Sequence, residues 1–285
     1  MDPAFALALL ALDGVGRVTA HRVLERFPTW EALRACPREQ VLVRVKGAPH
    51  AERLVGRLFD EAAMGEALGH ARAEIDALHG KQIAVLTPGH PYWPAGLNDL
   101  SRGDRPVVLY AFGTTAALAR PGVAFFGQAP LPGPAFEAAQ EGARACLAAG
   151  IPVVVGARPG FDVVLHKLGA EAGAPCVMVA ASGLARVDGP ARPSISAAVR
   201  AGGVLLSPFP LPHGPFPHDD HERALVQAAL AAKILFTVPR EGSAVARALA
   251  WAAEAGRRCF VFPDGDAPLP PGAQRLDDPA QLVAP

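Results

Sequence analysis

The sequence predicts an α/β fold: a mostly parallel sheet with helices on both faces, preceded by a small all-helical domain. Three observations carry that prediction. From Lys81 onward short β-prone runs alternate with Ala-rich helical stretches, those runs are apolar throughout, and residues 1 to 80 hold helix signals with almost no strand signals. Strands apolar on both sides and separated by crossover helices belong to a parallel sheet covered on both faces.

The head is read first. Phe5 to Leu12 is an apolar run that stops at the turn Asp13-Gly14-Val15-Gly16. Thr19 to Phe27 forms a second helix closed by Pro28, and Thr29 caps a short third from Trp30 to Ala35 that Pro37 ends. Val41 to Phe59 repeats the theme around Lys46-Gly47-Ala48. An Ala/Glu-rich helix from Asp60 to Leu78 then ends at His79-Gly80, where Gly suits the position after a helix.

Strands follow at Ile83–Leu86, Val107–Tyr110, Val123–Phe126, Val153–Val155, Cys176–Ala180, Val204–Leu206, Ile234–Val238 and Cys259–Phe262. The helices between them run over Phe136–Ala149, Phe161–Ala172, Ser194–Ala201, His221–Ala232 and Ala244–Ala255. The predicted domains are a helical one over 1–80, an α/β one over 81–265, and a Pro-rich extended tail over 266–285.

Composition narrows the function. Apolar residues make up 51% and charged residues 19%, the balance of a folded protein. A formal net charge of zero lacks the global basic excess of a strong non-specific DNA binder, so any nucleic-acid site must rest on local charge. Cys36, Cys146, Cys176 and Cys259 show no CxxC or Cys/His spacing, so no metal site is expected. No apolar run reaches the ~20 residues needed to span a bilayer, and the first residues carry Asp2 and Pro3 without a basic stretch. The expectation is a reduced cytoplasmic location with no membrane association.

Within the head, Leu12 to Leu24 (LDGVGRVTAHRVL) has the form of a helix-hairpin-helix or SAM-like turn. Gly14 and Gly16 permit close approach, and the next helix offers free backbone amides suited to a phosphate oxygen. Arg17, His21 and Arg22 are placed to add charge, and Val45 to Val55 is a looser second copy with Lys46, His50 and Arg53. Residues 1–58 hold nine Lys/Arg against six Asp/Glu, a modest excess that leaves room for DNA contact through Gly14, Gly16, Arg17 and Lys46. The plainer alternative is a helical bundle with a glycine turn.

The α/β part carries an ordered series of motifs: PYWPAGL from Pro91, then Arg105-Pro106-Val107-Val108-Leu109-Tyr110 and Gly113, Val123 to Gly127, and Val153 to Gly156 followed by Gly160, Phe161, Asp162 and His166. Further on come Gly202 to Ser207, Phe216-Pro217, Gly242-Ser243, Gly256-Arg257, Phe260 to Pro263, and Pro271-Gly272-Ala273 with Asp277. In this order, over some 180 residues, the series resembles the DNA-processing protein A (DprA/Smf) family, as a diverged member.

That resemblance implies an extended Rossmann-like fold that binds single-stranded DNA without catalysis, as a homodimer, and hands incoming DNA to a RecA-type recombinase during natural transformation. The site residues it implies are Gly127, Gln128, Gly156, Arg158, Gly160, Asp162, His166, Lys167, His218, His221, Arg223, Gly242 and Ser243. The sequence departs from the family where it matters. Gly-Ser-Arg becomes Gly127-Gln128-Ala129, and Phe-Pro-x-Arg-Asn-Arg becomes Phe216-Pro217-His218-Asp219-Asp220-His221. Guanidiniums that fork onto phosphate give way to a carboxylate and an imidazole, shifting the formal charge of that stretch from +2 to −2. Arg158, Lys167, Arg223 and Arg240 are candidates to restore it.

Other chemistry is thinner. His213, His218, Asp219, Asp220 and His221 form the densest polar cluster, but Asp219 or Asp220 more simply caps a helix beginning near His221. Asp162 and His166 lie one helical turn apart, suited to a hydrogen-bonded pair. Gly242-Ser243 is an anion site or an N-cap. No complete GxGxxG or Walker pattern appears, so no cofactor is expected. An alternative function is a crevice that binds a nucleotide-like small ligand or a protein partner instead of DNA. A hydrolase ranks last, because Pro208 and Pro239 stand where carboxylates would be needed.

Overall fold

Asp2 starts the first helix: its carboxylate accepts the Ala4 amide at 2.8 Å and Pro3 fills the first turn of α1, Pro3–Ala11. Residues 1–48, 50–127, 133–262 and 269–284 are described by the computed structural model. They fall into two units, Met1–Trp93 with Ser101–Leu109, and Pro94–Leu100 with Tyr110–Pro285.

The first unit holds α1, α2 (Arg17–Leu24), α3 (Trp30–Arg34), α4 (Arg38–Arg44), α5 (Ala51–Leu58), α6 (Glu61–His79) and strand β1 (Ile83–Leu86). Phe5, Leu9, Leu24, Phe27, Leu33, Leu58 and Met64 are buried at its centre. The stretch from Val41 to Phe59 repeats the helix-turn theme expected from the sequence, with α4 and α5 separated by the turn at Val45–Gly47. Gly80 stays right-handed (φ −59°) and the left-handed position falls on Gln82 (φ 58°), contrary to the glycine stop expected there. Ser101–Leu109 returns along α2: Glu25 pairs with Arg102 at 2.6 Å and Arg105 at 2.8 Å, and the buried His21 ring bonds the Arg105 carbonyl at 3.0 Å.

The second unit is the sheet domain. Its strands are β2 (Leu109–Gly113), β3 (Gly122–Phe126), β4 (Val153–Gly156), β5 (Cys176–Val179), β6 (Val204–Ser207), β7 (Ala231–Phe236), β8 (Arg258–Val261) and β9 (Ala273–Arg275). They lie in the order β2-β6-β5-β4-β3-β7-β8-β9, with β2 antiparallel to β6 and the other neighbours parallel. The connecting helices are α7 (Gly133–Ala148), α8 (Phe161–Ala172), α9 (Arg192–Arg200), α10 (Asp219–Ala229) and α11 (Ala244–Glu254). Helices α7, α8 and α9 share one core cluster against the sheet, to which α10 and α11 contribute nothing, and α10 packs against α11. Val123 and Phe125 of β3 join the core cluster under the first set. This is the extended Rossmann-like α/β fold that the motif series implied.

Two differences have local causes. Ala231 begins β7 rather than ending a helix: its alanines favour helix, and pairing with Gly122 of β3 overrides that local preference. The stretch expected to be an extended tail instead contributes β9 and α12 (Ala280–Val283), with Leu282 buried against the sheet's core. Among the described residues no helix is long and apolar enough to cross a membrane.

Candidate functional site

The chain runs β3, β4, β5, β6 outward in one direction and then returns to place β7 on the other side of β3. Between the carboxyl ends of β3 and β7 the outgoing chains diverge, and open α/β sheets bind ligands at such a point. A cleft of about 220 Å³ lies there, lined by Phe126, Gly127, Arg158, Asp220, Thr237, Arg240, Ser243, Ala244 and Val245. Of the residues singled out in the sequence, Gly127, Arg158, Asp220, Arg240 and Ser243 meet in this cleft, and Thr237 joins them. Gln128 lies outside the described residues.

The walls are set by close approach. A Cβ on Gly127 would sit 2.6 Å from the Phe161 ring, and one on Gly156 only 2.3 Å from an Asp162 carboxylate oxygen. Both glycines therefore let the start of α8 press onto the strand ends. Gly160 enters α8 at φ 92°, a conformation open to glycine. Asp162 and His166 share a face of α8, but they do not bond each other. Asp162 accepts the Arg158 amide at 3.1 Å, whereas the His166 ring contacts the Gly156 carbonyl at 2.9 Å and Ser194 Oγ at 3.1 Å. The pair braces one turn from both sides. Burial holds the His166 pKa below the ordinary imidazole value, outweighing the carbonyl of Gly156. The neutral ring then donates Nε2–H to that carbonyl, and its Nδ1 lies 3.1 Å from Ser194 Oγ, whose hydroxyl also reaches the Ala191 carbonyl at 2.9 Å.

The charge expected at Asp219 and Asp220 is revised by their partners. Helix α10 begins at Asp219, with His218 at its N-cap and no side-chain cap, so neither carboxylate caps it. Asp219 is fully buried and accepts the Phe216 amide at 2.8 Å and the His213 ring at 3.0 Å. Asp220 contacts Arg223 at 2.8 Å and Arg158 at 3.4 Å. Two carboxylates thus face cationic or hydrogen-bonding partners, and the stretch does not present −2 to solvent. Burial resists ionisation of Asp220, yet Arg223 and Arg158 outweigh it and hold the carboxyl below its usual range.

Arg223 itself is 1% exposed, so it acts beneath the cleft and not as a surface contact. Its guanidinium lies over the Phe126 ring at 5.8 Å and bonds Gln227, whose amide donates to the Phe125 carbonyl at 2.8 Å. Burial pulls its pKa down while Asp220 pulls it back up. Ser243 caps α11 by accepting the Ala246 amide at 3.2 Å, and Gly242 precedes it at φ 70°. Lys167 is exposed on α8 away from the cleft lining, and His221 is half-buried in the first turn of α10.

Beside α10, the loop before it stacks its rings. Phe209 lies parallel to His213 at 4.5 Å, Phe216 meets His213 edge-on at 5.2 Å, and His218 stacks on Phe216 at 5.8 Å. Phe216 is 52% exposed, so this ladder ends at solvent. In the first unit, Arg17 donates to the Gly103 carbonyl at 3.1 Å and Arg22 bonds the Gly47 carbonyl. With His21 buried, the three groups expected to add charge there are engaged internally. Lys46 is exposed in its turn, while Gly14 borders a separate cleft.

The sequence profile of DNA recombination-mediator protein A matches residues 84–283, well over half of the chain. The chain belongs to the DNA recombination-mediator protein A family. Membership of the DNA recombination-mediator protein A family gives it a DNA-processing role at the coarse level. Among solved structures, DNA processing protein A (DprA) from Streptococcus pneumoniae superposes with a TM-score of 0.67 at 17% identity, over 99% of this chain and 92% of that one. DNA processing protein A from Helicobacter pylori, solved for its single-stranded DNA binding mode, gives a TM-score of 0.59 at 17% identity, over 71% of this chain and 94% of that one. At such identity these likenesses establish the fold. Comparison with curated protein sequences finds no significant match.

Proposed function

We propose that the protein binds single-stranded DNA in the switch-point cleft and acts by binding, without catalysis, in DNA uptake and the loading of a RecA-type recombinase. The observation that carries the reading is the convergence of Arg158, Arg240 and the Ser243-capped start of α11 on one cleft at the carboxyl ends of β3 and β7. Two guanidiniums and a helix N-terminus match a phosphodiester, and the neighbouring Phe216–His218 stack offers a face to a base. The Helicobacter pylori relative's single-stranded DNA binding adds support.

The cleft's size favours one phosphate group over a whole dinucleotide, since about 220 Å³ is below the usual ~300 Å³ floor of small-molecule pockets. Titrating a fluorescent dT oligomer by anisotropy tests the proposal. Binding should weaken with salt, and Arg158→Gln with Arg240→Gln should reduce the logarithmic salt slope by ~0.7 for each phosphate no longer neutralised. A flat titration at low salt overturns it. Competition by free nucleotides without any oligomer binding would replace DNA with a small ligand. A homodimer and recombinase contact are further parts of this proposal, read by sedimentation with and without the recombinase.

A further inference from the structure

Asp220 is the chain's own anion in the switch-point cleft. Its carboxylate lines the cleft and lies 2.8 Å from Arg223 and 3.4 Å from Arg158. Arg223 is buried beneath the cleft, so Arg158 is the cation that Asp220 shares with anything entering from outside. Arg158 also stands 4.0 Å from the Asp162 carboxylate. Arg240 is different: it is exposed and pairs with no described residue.

Further donors on the lining are uncommitted. Thr237 follows β7, where its amide bonds the Phe126 carbonyl at 3.0 Å, while its hydroxyl has no partner among the described residues. Ser243 takes the Ala246 amide on its side chain and the Arg247 amide on its carbonyl. The Ala244 and Val245 amides at the start of α11 are left without intrahelical partners. Arg158 and Arg240 are the cationic side chains of the lining, and Lys167 lies outside it. The cleft therefore has cations for one phosphate and not for a row of them.

A single strand offers two kinds of phosphate. An internal phosphodiester carries one negative charge, as Asp220 does, so exchanging it for Asp220 at Arg158 leaves the charge of the cleft unchanged. A terminal phosphate monoester carries about two negative charges near neutral pH and has a third non-bridging oxygen. It keeps an attraction to Arg158 and Arg240 that one carboxylate does not cancel. We infer that the cleft selects a phosphate monoester at the end of a single strand, with Arg240 as its principal cation, Thr237 as a hydroxyl donor and Asp220 as the group that discriminates against the diester. This selectivity rests on the proposed DNA role only for the strand attached to the phosphate.

The test uses the full chain and internally labelled dT oligomers of one length, carrying a 5′-phosphate, a 3′-phosphate or hydroxyls at both ends. Anisotropy should show a phosphorylated oligomer binding about tenfold more tightly than the hydroxyl-ended one, the effect of one added charge-assisted contact. The preferred oligomer names the terminus recognised. A circular strand should compete no better than the hydroxyl-ended oligomer. Arg240→Gln should remove the preference with thermal stability unchanged, and Thr237→Val should reduce it. Asp220→Asn should narrow it to about twofold, because the hydroxyl-ended oligomer gains most when the internal anion is lost. Equal binding of all three oligomers, each weakened by Arg158→Gln with Arg240→Gln, would overturn the inference and leave the strand-binding reading standing. So would a circular strand that competes as well as the phosphorylated oligomer, or a preference that persists in Arg240→Gln. If thymidine monophosphate raises the melting temperature while no oligomer binds, the monoester selectivity stands and the strand-binding reading fails.

Discussion

Arg223 and Asp220 form an ion pair at 2.8 Å in which the guanidinium is almost wholly buried and the carboxylate is partly open to the cleft. Asp220 also reaches Arg158 at 3.4 Å, so one anion of the chain itself occupies the space between two cations. Breaking a buried pair leaves a charge without compensation, which is why the structure keeps it although it takes positive potential away from the cleft.

Asp220→Asn separates these two roles. Removing the internal anion should raise affinity for a dT oligomer by about fivefold, the equivalent of about 1 kcal/mol. The Asn oxygen still accepts from Arg223, but more weakly, and stability should fall by about 1–3 kcal/mol. Anisotropy and urea denaturation on the same preparation measure both. Unchanged affinity together with lost stability would remove Asp220 from the cleft's electrostatics.

Gly156→Ala places a methyl 2.3 Å from the Asp162 carboxylate. Because Asp162 holds the Arg158 amide, the clash cannot be relieved without opening that turn. The expected cost is about 1–3 kcal/mol, with a parallel loss of DNA affinity as Arg158 moves. A variant as stable as the parent would show that α8 yields freely at this point.

Acidification should destabilise the protein through His166. Burial lowers its pKa in the folded state, while the unfolded chain takes up the proton near the ordinary value of about 6.5. Below that pH the unfolded state binds more protons, so stability is full above it and declines as pH falls toward the lower folded value. His21 acts in the same direction, again from burial. Asp220, held below the carboxylate range, loses its contribution only in more acid solution. Thermal melts between pH 7.5 and 5.5 should therefore show a slope that shrinks in His166→Gln, and an identical slope in the two proteins would exclude His166 as its source.

Lys233 ties down the C-terminal turn. Its buried ammonium donates to the carbonyls of Gln281 and Leu282, each at 3.0 Å, and to that of Ala284. Lys233→Met should cost about 2–4 kcal/mol, and α12 amides should exchange faster while those of β3 change only with global stability. Equal protection of α12 in both proteins would show that Leu282 packing alone holds the helix.

Legibility in the sequence followed burial. The strands at Ile83–Leu86 and Cys176–Val179 stand out because they are apolar on both faces. Strand β9 has no such signal in Ala273-Gln274-Arg275; it exists because β8 offers an edge, with Cys259 beside Ala273. In the cleft, Gly127, Arg158 and Ser243 were visible through turn chemistry and motif order. Thr237 carried no mark in the sequence, and Ser194 gained its role only by lying against His166.

The amino-acid order by itself determined the α/β class, the helical head and the family resemblance, since hydrophobic period and turn residues act over a few neighbouring positions. The sign of the cleft was decided only in three dimensions. Arg158 and Asp220 are 62 residues apart, and Gln227 reaches the Phe125 carbonyl across 102. A carboxylate repels a phosphate or merely balances a guanidinium according to which groups stand within a few ångströms of it, and tertiary packing sets those distances.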